Sequence, residues 1–219
     1  MNHSVGKCVK LDALTVRPYL TLKNLCLFLG MGVVWALLFQ NAVLMITTAS
    51  MCALLFSGYP FMVGEESGID PLYKLFGFDA KDVVRGRFVS AFLFTGLLVA
   101  AGSVFALPLA LIYPEEIKLS MLLSGAIGMF YADSLIIFAE YPVYFKLGYY
   151  KGKKLSSIPY YVLFGLVLLL VKLPGGLDRA VRFCDEHTML VIALLLAVWA
   201  ALLAVSYRLS IRFYSKRDF

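Results

Sequence analysis

Two carboxylic acids, Asp133 and Glu140, stand inside the apolar stretch Leu119 to Phe145, where an ionised group is costly and needs a partner or an aqueous cavity. Seven residues apart, they fall on one face of a helix, roughly 10 Å from each other along its axis. Such a pair can handle protons or assist substrate passage. The plainer alternative is that Glu140, close to Pro142 and Lys146, reaches interfacial water while Asp133 hydrogen-bonds within a helix bundle. Thr47, Thr48, Ser50 and Ser57 on an earlier stretch can line a pathway, or return their hydroxyls to helix carbonyls or neighbouring helices.

A second group of polar side chains occupies Gly64 to Arg87 (GEESGIDPLYKLFGFDAKDVVRGR), which holds nine of the 34 charged residues of the chain. Within it Leu72, Tyr73, Leu75, Phe76 and Phe78 form an apolar cluster too large to leave in water. Asp70 followed by Pro71 reads as a helix start, and Gly77 as a left-handed terminator, which predicts a short helix over Pro71 to Phe76. Asp79, with Asp82 in the first turn and Phe78 and Val83 as a staple, predicts a second helix running on into the next apolar stretch. The segment reads as a hook that docks on a soluble partner.

The elements that carry these residues follow from composition. Of 219 residues, 61% are hydrophobic and only 16% charged, the balance of a polytopic membrane protein rather than a soluble domain. The expected fold is all-α, one transmembrane domain with six spans over about 24–40, 41–62, 88–113, 119–145, 155–173 and 188–207. The 38 residues Leu25 to Met62 would measure roughly 57 Å as one helix against an apolar slab of about 30 Å. They must fold back, and Gln40-Asn41 is the polar break.

Lys and Arg concentrate in loops on the cytoplasmic side. With both termini inside, sixteen of the 20 basic residues lie there, and only Lys118, Lys172, Arg179 and Arg182 lie outside. Residues 1–23, 63–87 and 208–219 are then cytoplasmic, and 174–187 forms the outer loop. The net charge of +6 suits an inner leaflet rich in anionic lipid, and nucleic acid is not required as a partner. Val5, Val9, Ala13, Val16 and Leu20 predict an amphipathic interfacial helix before the first span.

Several chemistries lack their residues. The nearest match to a phosphate-cradling loop, Gly148 to Lys154, has the wrong spacing, and there is no G-x-S-x-G elbow. His3 and His187 fall on opposite sides of the membrane, and no Cys or His pair has metal-ligand spacing. Cys8, Cys26, Cys52 and Cys184 are dispersed between compartments and spans, which leaves a bridge through Cys184 across a dimer as the disulfide option.

The order of the hook, of YPVYFKLGYYKGKK after the fourth span and of SIRFYSKRDF at the end resembles the small permease subunits of bacterial type-2 ABC exporters. This resemblance implies half of a transporter in the bacterial plasma membrane, paired with a second permease chain as a homodimer or heterodimer. Two copies of a separate ABC ATPase would supply ATP and Mg binding, since the chain has no cofactor site of its own. The hook would be the coupling helix, with Asp70, Leu72, Tyr73, Leu75 and Phe76 docking and Glu65 and Glu66 at the rim. The substrate implied is an amphipathic peptide or hydrophobic compound. Two other readings stay open: a proton-coupled carrier using Asp133 and Glu140, and a membrane-embedded enzyme or sensor subunit.

Overall fold

The computed structural model describes residues 3–112, 119–156, 158, 161–162, 165, 168–169, 172 and 176–217. These form α1 (His3–Val16), α2 (Leu22–Leu38), α3 (Val43–Glu66), α4 (Ile69–Leu75), α5 (Ala80–Ile112), α6 (Leu119–Leu147), α7 (Tyr149–Ser156), α8 (Gly176–Glu186) and α9 (Thr188–Ser215). In chain order the last two follow the region of the expected fifth span, 155–173, most of which lies outside the described residues.

Among the described residues four helices, α3, α5, α6 and α9, are long and apolar enough to cross a membrane. The 17-residue α2 measures about 26 Å, short of the roughly 30 Å apolar slab. The 33 residues of α5 reach about 50 Å, so that helix projects well beyond the slab. Arg87 lies on its first turns, near the polar end.

The break at Gln40-Asn41 has a local cause. Gln40 takes a positive φ of 49°, the Asn41 N–H closes back on the Ala36 carbonyl at 2.9 Å, and the Asn41 side-chain oxygen accepts from the Val43 N–H at 2.9 Å. That amide satisfies a donor at the start of α3 that no earlier turn can serve.

α3 is the central element and packs against α1, α2, α4, α5, α6 and α7. Gly102 of α5 permits the closest of these approaches: a Cβ there would stand 2.5 Å from Ala49 Cβ and 3.2 Å from the Met45 carbonyl oxygen. α9 packs on α6 and α5, and α8 on α9. The ends of α3, α6 and α9 gather with α1, α4 and α7 at one end of the bundle, joined by contacts of Glu65 to Tyr149 and of Asp70 to Arg217.

The amphipathic start differs from its expected face. Val5, Cys8, Asp12 and Val16 are the buried residues of α1, whereas Ala13 is exposed and Val9 only partly covered. The seat is set by Gly86 of α5, where an added Cβ would come within 2.5 Å of Cys8 Cβ. Helix α1 thus packs on protein through a stripe one step away from the aliphatic one.

Gly102→Val forces apart the α3–α5 contact and is expected to cost about 1–3 kcal/mol, the usual penalty of overpacking. Thermal unfolding of the detergent-solubilised chain should show a lowered midpoint for Gly102→Val and almost none for Gly128→Val, whose added carbon meets nothing within 4 Å.

Candidate functional site

The polar end of the bundle is organised by Arg87, 3% exposed. Its Nε lies 3.2 Å from Asp12 Oδ1 of α1, and one terminal nitrogen lies 3.3 Å from Asp70 Oδ1 of α4. The guanidinium carbon sits 4.7 Å from the centre of the Phe61 ring of α3, within the range of a cation–π attraction. Ser90, one turn along α5, reaches Asp12 Oδ2 at 2.9 Å and the Gly86 carbonyl at 2.8 Å. The second Asp70 oxygen lies 3.7 Å from Arg217, just past the end of α9. Two cations and two anions thus tie α1, α4, α5 and the chain end together.

Aromatic rings close over this cluster. Phe61 meets Tyr141 and Phe145 edge-on, each at 4.9 Å between centroids, and Phe88 meets Tyr141 at 4.9 Å. Burial raises the Tyr73 hydroxyl to about 12. It also raises the Cys8 thiol, helped by the negative charge of Asp12, to about 11.

The hook residues divide by direction. α4 starts at Ile69, two residues before the expected Pro71, and ends in a motif in which the Phe78 N–H reaches the Tyr73 carbonyl at 3.0 Å past Gly77, at φ +71°. Asp70 is therefore inside the first turn and spends its carboxylate on Arg87 and Arg217, because a buried guanidinium binds it more strongly than an exposed backbone N–H does. Tyr73 is buried at 3% and stacks edge-on against Phe78 at 5.7 Å. Leu72, Leu75 and Phe76 stay outside, the last two 79% and 70% exposed. One face of the helix anchors it and the other is free.

Glu65 and Glu66 point elsewhere. The Glu65 carboxylate accepts from the backbone N–H groups of Tyr149, at 2.5 Å, and Tyr150, at 3.3 Å, and so caps α7. Glu66 accepts from the Tyr150 hydroxyl, which raises that phenol to about 12. Both glutamates fasten α7 to the end of α3.

In the bundle, Ser50 of α3 brings its hydroxyl to 2.8 and 2.9 Å from the two oxygens of Asp133, a contact closed from solvent. Thr47 and Thr48 donate to the carbonyls of Val43 and Leu44 in their own helix, and Ser57 to that of Leu54. Glu140, 4% exposed, borders a cavity of about 350 Å³ shared by α3, α6 and α7. The two α6 carboxylates thus serve separate surroundings.

Sequence reasoning missed Asp12, Ser90 and Arg217 as partners and read Arg87 only as the end of the hook. Asp12 did carry a signal: it is the single acid of α1, spaced four residues from both Cys8 and Val16, on a face otherwise apolar.

The sequence model of the ABC-2 family transporter proteins matches residues 9–215. The chain belongs to that family and is a multi-pass membrane component of an ABC transport system. Members of the family pair with an ABC ATPase. No curated protein and no solved structure matches the chain.

Two outcomes follow from this geometry. Asp12→Ala leaves Arg87 buried with one counter-charge fewer and should destabilise the chain by about 3 kcal/mol or more, whereas adding Arg87→Met should recover part of that loss. Strictly additive losses in thermal unfolding would refute the pairing. Cys8, buried and raised in pKa, should react with maleimide at pH 7 on the order of tenfold or more slowly than exposed Cys184, read by peptide mass spectrometry of the solubilised chain.

Proposed function

We propose that the chain is the permease subunit of an ABC exporter, driven by a separate ATPase that docks on α4. The observation that carries this reading is the division of that helix: Leu75 and Phe76 stand 79% and 70% exposed while Asp70 and Tyr73 are buried on the opposite side. An exposed apolar ridge at a polar end of a membrane protein suits insertion into a groove of a soluble protein. Its anchors then pass displacement to α5 through Arg87 and to α1 through Asp12.

The polar end is the cytoplasmic one in this reading, since the basic residues of the hook, of α7 and of the chain end gather there. Both termini are then cytoplasmic, in the plasma membrane of a bacterium. Two copies of the ATPase supply ATP and Mg binding, and a second permease chain, identical or related, completes the pathway. The docking set narrows to Leu72, Leu75 and Phe76, with Asp70 and Tyr73 as anchors and Glu65 and Glu66 as struts of α7. An amphipathic peptide or hydrophobic compound is the substrate class that this reading assigns.

A proton-coupled carrier is the second reading, favoured by the burial of both Asp133 and Glu140. It requires transport by the chain alone, driven by a pH gradient and lost in Asp133→Asn.

The test is co-purification with the ATPase and measurement of permease-stimulated ATP hydrolysis. Leu75→Glu and Phe76→Glu place a charge on the docking ridge and should each lower stimulation on the order of tenfold or more, with the fold intact because both positions are exposed. Unchanged association and stimulation in the double variant would overturn the proposal.

A further inference from the structure

Helix α7 turns off sharply from α6 and is clamped on one side. Gly148 takes a φ of +80°, and a Cβ there would stand 2.8 Å from the Glu65 carboxylate, so the turn favours glycine. Tyr149, Gly152 and Ser156 are buried, and a Cβ on Gly152 would lie 2.9 Å from the Tyr144 ring of α6. The other side of α7 faces outward. Lys151 and Lys154, neighbours one turn apart on the helix surface, are exposed, and so are Tyr150 at 51% and Leu155 at 46%.

The acids of α3 and α6, the helices on which α7 packs, are engaged elsewhere. Glu65 spends its carboxylate on the N–H groups of Tyr149 and Tyr150, and Glu66 accepts from the Tyr150 hydroxyl. Asp133 takes the Ser50 hydroxyl, and Glu140 is enclosed beside Tyr144. Lys153 turns to the hydroxyl and ring of Tyr149. Among the described residues Lys151 and Lys154 therefore have no ion pair. Their level follows from Leu155, which shares a cavity of about 530 Å³ with Leu202, Val205 and Leu209 of α9. Those three are 42%, 54% and 37% exposed on a membrane-crossing helix. The end of α7 thus stands beside lipid-facing side chains, with its free cations next to them. Leucine turned to hydrocarbon and lysine turned to the headgroups are the marks of an interfacial helix.

We propose that the outward face of α7 is a contact for anionic phospholipid headgroups, whose phosphates Lys151 and Lys154 bind while Leu155 enters the hydrocarbon beside α9. A zwitterionic leaflet offers the same hydrocarbon to Leu155 but no net charge to the lysines, so the face selects anionic lipid. Glu65 and Glu66 then fasten a lipid-held helix to the end of α3. The contact needs only that α6 and α9 cross a bilayer. It is measured on the chain alone, so its failure leaves docking on α4 untouched, and the failure of docking leaves it untouched.

Thermal unfolding of the full chain in a neutral detergent, titrated with phosphatidylglycerol, reads this contact. The midpoint should rise saturably with phosphatidylglycerol and far less with phosphatidylcholine. The double variant Lys151→Gln/Lys154→Gln should need about tenfold or more phosphatidylglycerol for half of the rise, the effect of removing two cations from an anionic surface. Lys151→Arg/Lys154→Arg should behave as the unchanged chain. So should Lys81→Gln/Arg85→Gln, which removes the same charge from exposed positions at the start of α5. Native mass spectrometry of the same samples should show phosphatidylglycerol adducts that the α7 glutamine pair loses and the α5 pair keeps. All four positions are exposed, so the variants are expected to fold, which their midpoints without lipid check. An equal response to phosphatidylcholine, an unchanged half-saturation in the α7 glutamine pair, or an equal loss in the α5 pair overturns the proposal. So does an equal rise with soluble glycerol phosphate, which would assign the lysines to free anions.

Discussion

The buried guanidinium of Arg87 is the constraint around which one end of the molecule is arranged. Removing such a group from water is expensive, and the cost is met only if its donors find anions with good geometry. Asp12 and Asp70 provide them from two other helices for Nε and one terminal nitrogen, the other terminal nitrogen having no hydrogen-bond partner, and Arg217 returns the balance by engaging the second oxygen of Asp70. The charges cancel within the cluster. The rings of Phe61, Phe88 and Tyr141 exclude water above it, which strengthens the attractions and makes the loss of any one member more costly.

This arrangement explains how a helix of seven residues holds a fixed position. An isolated helix of that length does not persist in water, and α4 has only its ends and its contacts to stabilise it. Gly77 closes the last turn, Asp70 joins it to Arg87, and Tyr73 packs against Phe78 at the start of the next chain segment. Because Arg87 belongs to the first turns of α5, the docking proposed on α4 would act on a continuous helix of 33 residues. Helices and close-packed interfaces shift as units rather than deforming continuously, so in the proposed permease the ion cluster would serve as the joint.

Much of this fold was legible because membrane helices advertise themselves through long apolar runs. The break at Gln40-Asn41 and the left-handed Gly77 follow from local chemistry that sequence carries directly. The hook was legible as a short helix with an apolar face, but not in the direction of its residues. Asp70 looked like a cap because local preference is all a sequence displays, whereas a guanidinium 17 positions away decided its role. Glu65 illustrates the same limit: its partners are backbone N–H groups 84 and 85 residues downstream, and backbone donors leave no mark in a sequence. In α1 the aliphatic spacing was read correctly as helical, yet the buried stripe includes Asp12, which a search for uninterrupted apolar periodicity rejects.

The two acids of α6 show how position along one packing face can separate functions. A spacing of seven residues keeps both on the side turned to α3, and that helix presents different partners at successive levels. Opposite Asp133 stands Ser50, whose hydroxyl spans both carboxylate oxygens and fills the gap. Around Glu140 stand Leu54, Leu55 and Gly58, and the side chain missing at Gly58 admits Tyr149 and leaves a cavity. Between the two acids the same helix turns carry Ile136 and Ile137, 7% and 0% exposed. The geometry therefore places Asp133 in the contact between α3 and α6 and Glu140 beside a separate cavity, so one face of α6 serves two different surroundings.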